Sequence, residues 1–186
     1  YPRRSDEYKK FLEEYIVLTK TNKMPLRSVT GSYAGAIGIP QFMPDSWRDY
    51  GVDFDGDGKV DLRNSTADAI GSVANFLKQK GGWVPNQDVV YAVKFDNDEP
   101  RIKELLAKPV EPSLTYRQIK DFGVSSSENI RSDIKLSLID LPNGDKATSY
   151  VLGSRNFYAI TRYNKSYMYA MSVYDLGSAV AKARLK

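Results

Sequence analysis

"GSYAGAIGIPQFMPDSW", residues 31–47, crowds three glycines and two prolines around Ser32, Tyr33, Gln41 and Phe42. It shows neither the 3.6-residue period of an amphipathic helix nor the alternation of a half-buried strand. Glycines at 31, 35 and 38 let a backbone turn tightly or approach a ligand. A serine hydroxyl and a glutamine amide among apolar neighbours suit the wall of a cleft, and they also suit a packed loop between helices.

Upstream of this stretch, Tyr8, Phe11, Leu12, Tyr15 and Ile16 recur at helical spacing behind Ser5, which predicts an amphipathic helix over 5–20 capped by that serine. Downstream, Ile70, Val73, Ala74 and Leu77 predict a helix over 66–80 with a Ser65/Asp68 capping box and a Gly81-Gly82 stop. The middle changes character. "VVYAVKF" at 89–95 reads as a strand, and residues 134–152 read as a β-hairpin turning at Asn143-Gly144. "EPRIKELLAK" and "TYRQIKDFG" read as short helices, and from about 166 to 184 Tyr169, Val173, Leu176 and Val180 are spaced for burial. The expected fold is α+β and mainly α. A first helical part spans 1–84, a small mixed segment 85–154 is inserted, and 155–186 returns to the helical core.

The 186 residues carry 27 Lys and Arg against 23 Asp and Glu, a net charge of +4 that is too small to argue for a nucleic-acid partner. With no histidine and no cysteine, disulfides, thiolate nucleophiles, imidazole bases and histidine-bound metals are excluded. Chemistry here runs on carboxylates, hydroxyls, amides or a hard metal ion. No apolar run is long enough to span a membrane, and the first residue is Tyr1, so the expectation is a processed or truncated chain.

A second polar loop, "DFDGDGKVDLRN" at 53–64, places Asp53, Asp55 and Asp57 at alternate positions with Gly58 sixth, Lys59 seventh and Asp61 ninth. That is the D-x-D-x-D-G opening of an EF-hand, in which Lys59 would offer its carbonyl. Asn64 replaces the bidentate glutamate at the twelfth place. Three alternating carboxylates repel one another unless a cation lies between them, so the loop reads as a calcium site, with an Asp-Gly turn capping the next helix as the alternative.

"SYAGAIGIPQFMPDSW", then "DFDGDGKVDL", then "ADAIGSVANFLKQKGGW", together with "YPRR" and "ITRYNKSYMYAMSVYDLG", closely resemble the B-type family of lytic murein transglycosylases. The resemblance is dense over 1–84 and 155–182 and weak between. It implies a lysozyme-like helical core acting on peptidoglycan in the bacterial envelope. The reaction would cleave the β-1,4 bond between N-acetylmuramic acid and N-acetylglucosamine without water, by attack of the muramic acid's own 6-hydroxyl.

Because the substrate supplies its own nucleophile, one carboxyl group can act as acid and then base. The family's glutamate, in a Glu-Ser/Thr-x-(Phe/Tyr)-Gly motif, has no counterpart in these residues and is expected upstream of Tyr1. Ser32 matches a serine that supports that glutamate. Gln41 matches a cleft glutamine that binds sugar hydroxyl or acetamido groups, Phe42 the aromatic beside it, and Tyr163 and Asn164 cleft residues near the scissile bond; Phe76 stands where the family commonly has tyrosine, and Arg3 and Arg4 match arginines near the cleft. The resemblance further implies a calcium loop closed by Asp68, no organic cofactor, and glycan strands and muropeptides as partners. Membrane attachment would come only through an upstream lipid anchor. A non-catalytic peptidoglycan-binding module is the alternative.

Overall fold

The computed structural model describes residues 4–95 and 99–185, and Arg3 lies outside them. The chain divides into two compact units, Tyr1–Gln79 and Lys80–Lys186. The break falls at Gln79/Lys80.

The first unit contains α1 (Ser5–Thr21), α2 (Pro44–Tyr50) and α3 (Thr66–Gln79). Arg4 holds the N-cap position of α1 without a side-chain capping bond, so Ser5 begins the helix instead of capping it. Along α1 only Leu18 and Thr19 are buried, whereas Leu12 and Ile16, on its predicted apolar face, are exposed.

The buried face of α3 also differs from the apolar spacing. Asp68, Ala69, Gly71, Ser72 and Phe76 turn inward while Ile70 points out at 63% exposure. The cause is the preceding loop, which packs on α3 through hydrogen bonds and a close approach. Val52 N–H donates to Ser72 Oγ at 2.9 Å and Phe54 N–H to Asp68 Oδ1 at 2.8 Å. A Cβ on Gly71 would lie 2.6 Å from the Phe54 side chain, so the facing residues must be small or polar. The capping box is half formed: Asp68 N–H donates to Ser65 Oγ, but the Asp68 carboxylate serves the loop.

The second unit is built on a four-stranded antiparallel sheet in the order β1-β6-β5-β3, from Val90–Ala92, Lys146–Gly153, Lys135–Asn143 and Leu114–Thr115. A two-stranded pair joins β2 (Lys94–Phe95) to β4 (Val124–Ser125). The predicted 89–95 strand is thus interrupted at Val93. The β5–β6 hairpin turns at Asn143-Gly144 as the sequence predicts, with a register shift between Leu141 and Asn143.

Side-chain alternation along β5 feeds two cores. Leu136 and Leu138 pack with Tyr116 and Ile119 of α5 (Tyr116–Lys120) and Leu105 of α4 (Glu99–Leu106). Ile139 and Leu141 pack with Phe157 and Ile160 of α6 (Arg155–Tyr163) and Ala170 of α7 (Tyr167–Arg184). Residues 155–184 therefore close the sheet, since their buried apolar side chains face β5. Val173, Leu176 and Val180, spaced for burial, are 38%, 67% and 51% exposed because α7 uses Ala170 as its buried contact.

Candidate functional site

The 31–42 loop is held by its own backbone. Ser32 N–H donates to Ala36 O at 2.8 Å, Ala36 N–H to Ser32 Oγ at 3.0 Å, and Gly35 N–H to Ser32 O at 2.9 Å. Ile37 and Phe42 exchange both backbone hydrogen bonds, at 2.8 and 3.1 Å. Gly38, at φ +74, is required here: a Cβ would lie 2.6 Å from Leu62 O. Ile39 N–H donates to that same carbonyl at 2.8 Å, which ties the turn to the aspartate loop.

These bonds leave the Ser32 hydroxyl proton free to donate, because Oγ acts as an acceptor towards Ala36. Ser32 lies on the wall of a cavity of about 260 Å³ between α1 and the turn, beside Tyr8, Phe11, Tyr15, Tyr33 and Gly35. Among the described residues, no carboxylate lines this cavity. Gln41 is exposed, in a left-handed conformation at φ 50, and its Nε2 donates to Gly38 O at 2.9 Å, leaving Oε1 outward as an acceptor.

Phe42 and Phe76 are placed differently from the expectation of rings offered to a sugar. They are 3% and 6% exposed and pack on each other at 5.5 Å between centroids, with Tyr50 edge-on to Phe76 at 5.0 Å. Apolar burial claims both rings, so their role is to fix the turn from beneath. Arg4 is committed locally, with Nε donating to Glu7 Oε2 at 2.7 Å and its guanidinium over the Tyr8 ring.

In the aspartate loop, Asp53, Asp55 and Asp57 are exposed and their carboxylate oxygens converge within 4.8 Å of one another. Backbone donors orient them. Gly56 and Gly58 N–H donate to Asp53 at 2.6 and 2.8 Å, and Lys59 N–H to Asp57 at 2.9 Å. Ser65 Oγ donates to Asp55 Oδ2 at 2.7 Å.

Asp68 is not among the converging group. It is 1% exposed and its oxygens accept from the backbones of Phe54, Asp55 and Asp61. The bonds from Asp61 and Phe54 hold its pKa below the ordinary carboxylate value against the opposing effect of desolvation. Asp61 faces the same contest: burial pushes its pKa up, but bonds from the Asn64 side chain and the Arg63 and Asn64 backbones prevail and lower it. Asp68 therefore organises the loop from behind, as a buried anion satisfied by N–H groups.

In the second unit, Tyr163 closes α6 and stacks on Tyr169 with an interplanar angle of 5° and centroids 6.5 Å apart. Burial first, then Tyr169, pushes its hydroxyl up to about 12, so it remains a hydrogen-bond donor at neutral pH. Asn164 is the exposed C-cap of α6, and its carbonyl accepts from Ser166 N–H at 2.7 Å.

Kinship with known proteins extends over nearly the whole chain. The model for the transglycosylase SLT domain matches residues 1–178. The chain belongs to this transglycosylase family. Membrane-bound lytic murein transglycosylase B of Escherichia coli (strain K12) is 38% identical over 186 residues, covering 100% of this chain and 49% of that protein.

The crystal structure of the soluble lytic transglycosylase SltB1 from Pseudomonas aeruginosa superposes with a TM-score of 0.89 at 40% identity, covering 100% of this chain and 60% of that one. The Escherichia coli lytic transglycosylase Slt35 in complex with calcium gives 0.84 at 36% identity, over 100% of this chain and 57% of that one. The chain thus spans about half the length of the curated relative, 49%. The α+β, mainly helical fold expected from the sequence agrees with these superpositions.

Sequence reasoning passed over Tyr8, Phe11 and Tyr15 as cavity walls, since helical spacing alone reads them as core. Trp47 was also passed over. It is 3% exposed at the end of the quoted stretch, and its Nε1 has no acceptor among the described residues.

Proposed function

We propose that this chain is the substrate-cleft portion of a lytic transglycosylase that cleaves the MurNAc-GlcNAc bond of peptidoglycan to leave 1,6-anhydro ends, in the bacterial cell envelope. The observation that carries the reading is the Ser32 hydroxyl, free to donate on the wall of a cavity that no carboxylate of the described residues lines, in a chain of this family. Its proton serves a carboxylate from outside the cavity's own lining, a glutamate beyond these 186 residues that acts as acid and then base. Gln41 Oε1, in the first unit, accepts from sugar hydroxyl or acetamido groups, and in the second unit Tyr163 and Asn164 are assigned to the sugar on family membership. Partners are glycan strands and muropeptides. Attachment to a membrane would come from outside the described residues, among which no helix is long and apolar enough to cross one.

The aspartate loop fits Ca²⁺: three hard oxygen donors converge at a surface loop held open by backbone donors. Asp53, Asp55 and Asp57 would hold the ion, with the Lys59 carbonyl and Asp61 adjacent. The ion would neutralise mutual repulsion and fix the loop against α3, leaving the chemistry to the glutamate.

Murein sacculi digested with the 186-residue chain alone should release no anhydromuropeptides, whereas the chain joined to a segment bearing the glutamate motif should release them, as followed by chromatography with mass detection. Anhydro products from the chain alone would overturn the assignment of the missing acid. Binding to sacculi without products from either protein would favour a non-catalytic peptidoglycan-binding module.

A further inference from the structure

The Ser32 cavity is walled by aromatic rings. Tyr8, Phe11 and Tyr15 of α1, at spacings of three and four residues, turn one helix face onto it and are half-buried. The Arg4 guanidinium lies over the Tyr8 ring, and Tyr15 Oη donates to Leu26 O at 2.7 Å, which holds these two side chains in place. Tyr33 lines the same cavity from the turn, immediately after Ser32, and it is 80% exposed.

The backbone beneath Tyr33 is braced. Gly35 N–H donates to Ser32 O at 2.9 Å, closing a four-residue turn with Tyr33 at its second position. Ser32 N–H donates to Ala36 O at 2.8 Å across the base, and a Cβ on Gly31 would lie 2.7 Å from that same carbonyl oxygen. Neither Tyr33 nor Ala34 has a positive φ, and a turn of that kind accepts most residues at its second position. Backbone geometry therefore does not call for an aromatic ring there, and at 80% exposure neither does packing. A large, stiff ring presented on a fixed backbone can take up a ligand with little loss of conformational freedom.

We propose that Tyr33 is a substrate-binding residue of the cleft, its ring packed against the C–H face of an N-acetylhexosamine of the glycan strand beside the bond that the glutamate held by Ser32 would cleave. The proposal rests on the reading of this chain as the cleft of a lytic transglycosylase. A pyranose presents apolar C–H groups on its face and polar groups around its edge, and this cavity offers both partners, aromatic rings and the Ser32 hydroxyl. The contact carries no charge, so it reads the sugar ring and not the carboxylates of a stem peptide.

The test titrates the full-length protein calorimetrically with tetra-N-acetylchitotetraose, which carries the sugar rings without any carboxylate. Saturable binding is expected, weaker by about tenfold in Tyr33→Ala and in Tyr33→Leu, and within about threefold of the parent in Tyr33→Phe and Tyr33→Trp, which keep a flat ring. The side chain is exposed, so all four variants should melt with the parent. Unchanged affinity in Tyr33→Ala would overturn the proposal, and a lowered melting temperature beside it would show the ring packing on another part of the protein instead. A loss in Tyr33→Phe equal to that in Tyr33→Ala would also overturn it, since the hydroxyl and not the ring would then make the contact. So would a parent that does not bind the tetrasaccharide at millimolar concentration. In that case, anhydromuropeptides released from sacculi by the same protein would leave the transglycosylase reading standing, and their absence would remove it as well.

Discussion

The two units are held together by different means. In the second, apolar side chains pack both faces of one antiparallel sheet, and among the few buried polar residues Asn156 makes the most hydrogen bonds. This residue, 0% exposed, accepts from Val84 N–H at 2.7 Å and donates to Val84 O and Gln87 O at 2.9 and 2.7 Å. In the first, the 31–42 loop is held by its own backbone, and the aspartate loop is fastened to α3 by buried polar atoms. Asp68 gathers three backbone N–H groups and Ser72 one. Packing of apolar surface is indifferent to protons and cations, whereas a carboxylate network is not. The first unit therefore should respond to pH and calcium, and the second should respond to loss of side-chain contacts.

The sharpest challenge to this contrast is Asn156→Ala. It strands one backbone donor and two acceptors at once and should cost about 3 kcal/mol in chemical denaturation, with hydrogen exchange accelerated first around 83–88. A loss under about 1 kcal/mol would mean that apolar packing alone holds this part of the second unit.

Calcium comes next in size. At a hundredfold excess over its dissociation constant, it should stabilise the first unit by about 2.7 kcal/mol, raising the melting temperature over that in excess EDTA. Magnesium should do less, and Asp57→Ala should abolish the shift without weakening the calcium-free protein. Equal melting temperatures with and without several millimolar calcium would leave the loop as a turn fastened to α3 by Asp68.

The smallest effect expected is on acid stability. Asp68 and Asp61 have folded pKa values below the ordinary 3.8, so their contribution is present above about pH 4 and is lost as pH falls through the folded values. Asp68→Asn keeps an acceptor oxygen but removes the titration. It should lower the melting temperature at pH 7 and flatten its decline below pH 4, as read by calorimetry. A decline as steep as in the parent would place the acid sensitivity elsewhere.

Local chemistry was enough for the hairpin and its Asn143-Gly144 turn, the extents of α1, α3 and α7 to within a residue or two, and the convergence of Asp53, Asp55 and Asp57. Each depends on neighbours a few residues away, through turn preference, helical period or alternating carboxylates. The tight 31–42 turn was also foreshadowed by its glycines, because Gly38 stands where no Cβ can fit. Which face of α3 turns inward was decided only by tertiary structure, since a loop presenting N–H groups to Asp68 and Ser72 outweighs the attraction of burying Ile70. The same holds for Phe42 and Phe76, which meet across a gap in sequence that no period can span, and for Asp68, whose buried carboxylate takes three backbone donors of the loop instead of joining the surface cluster. Spacing along the chain identifies which side chains share a face, but which partner each face meets depends on residues brought near by folding.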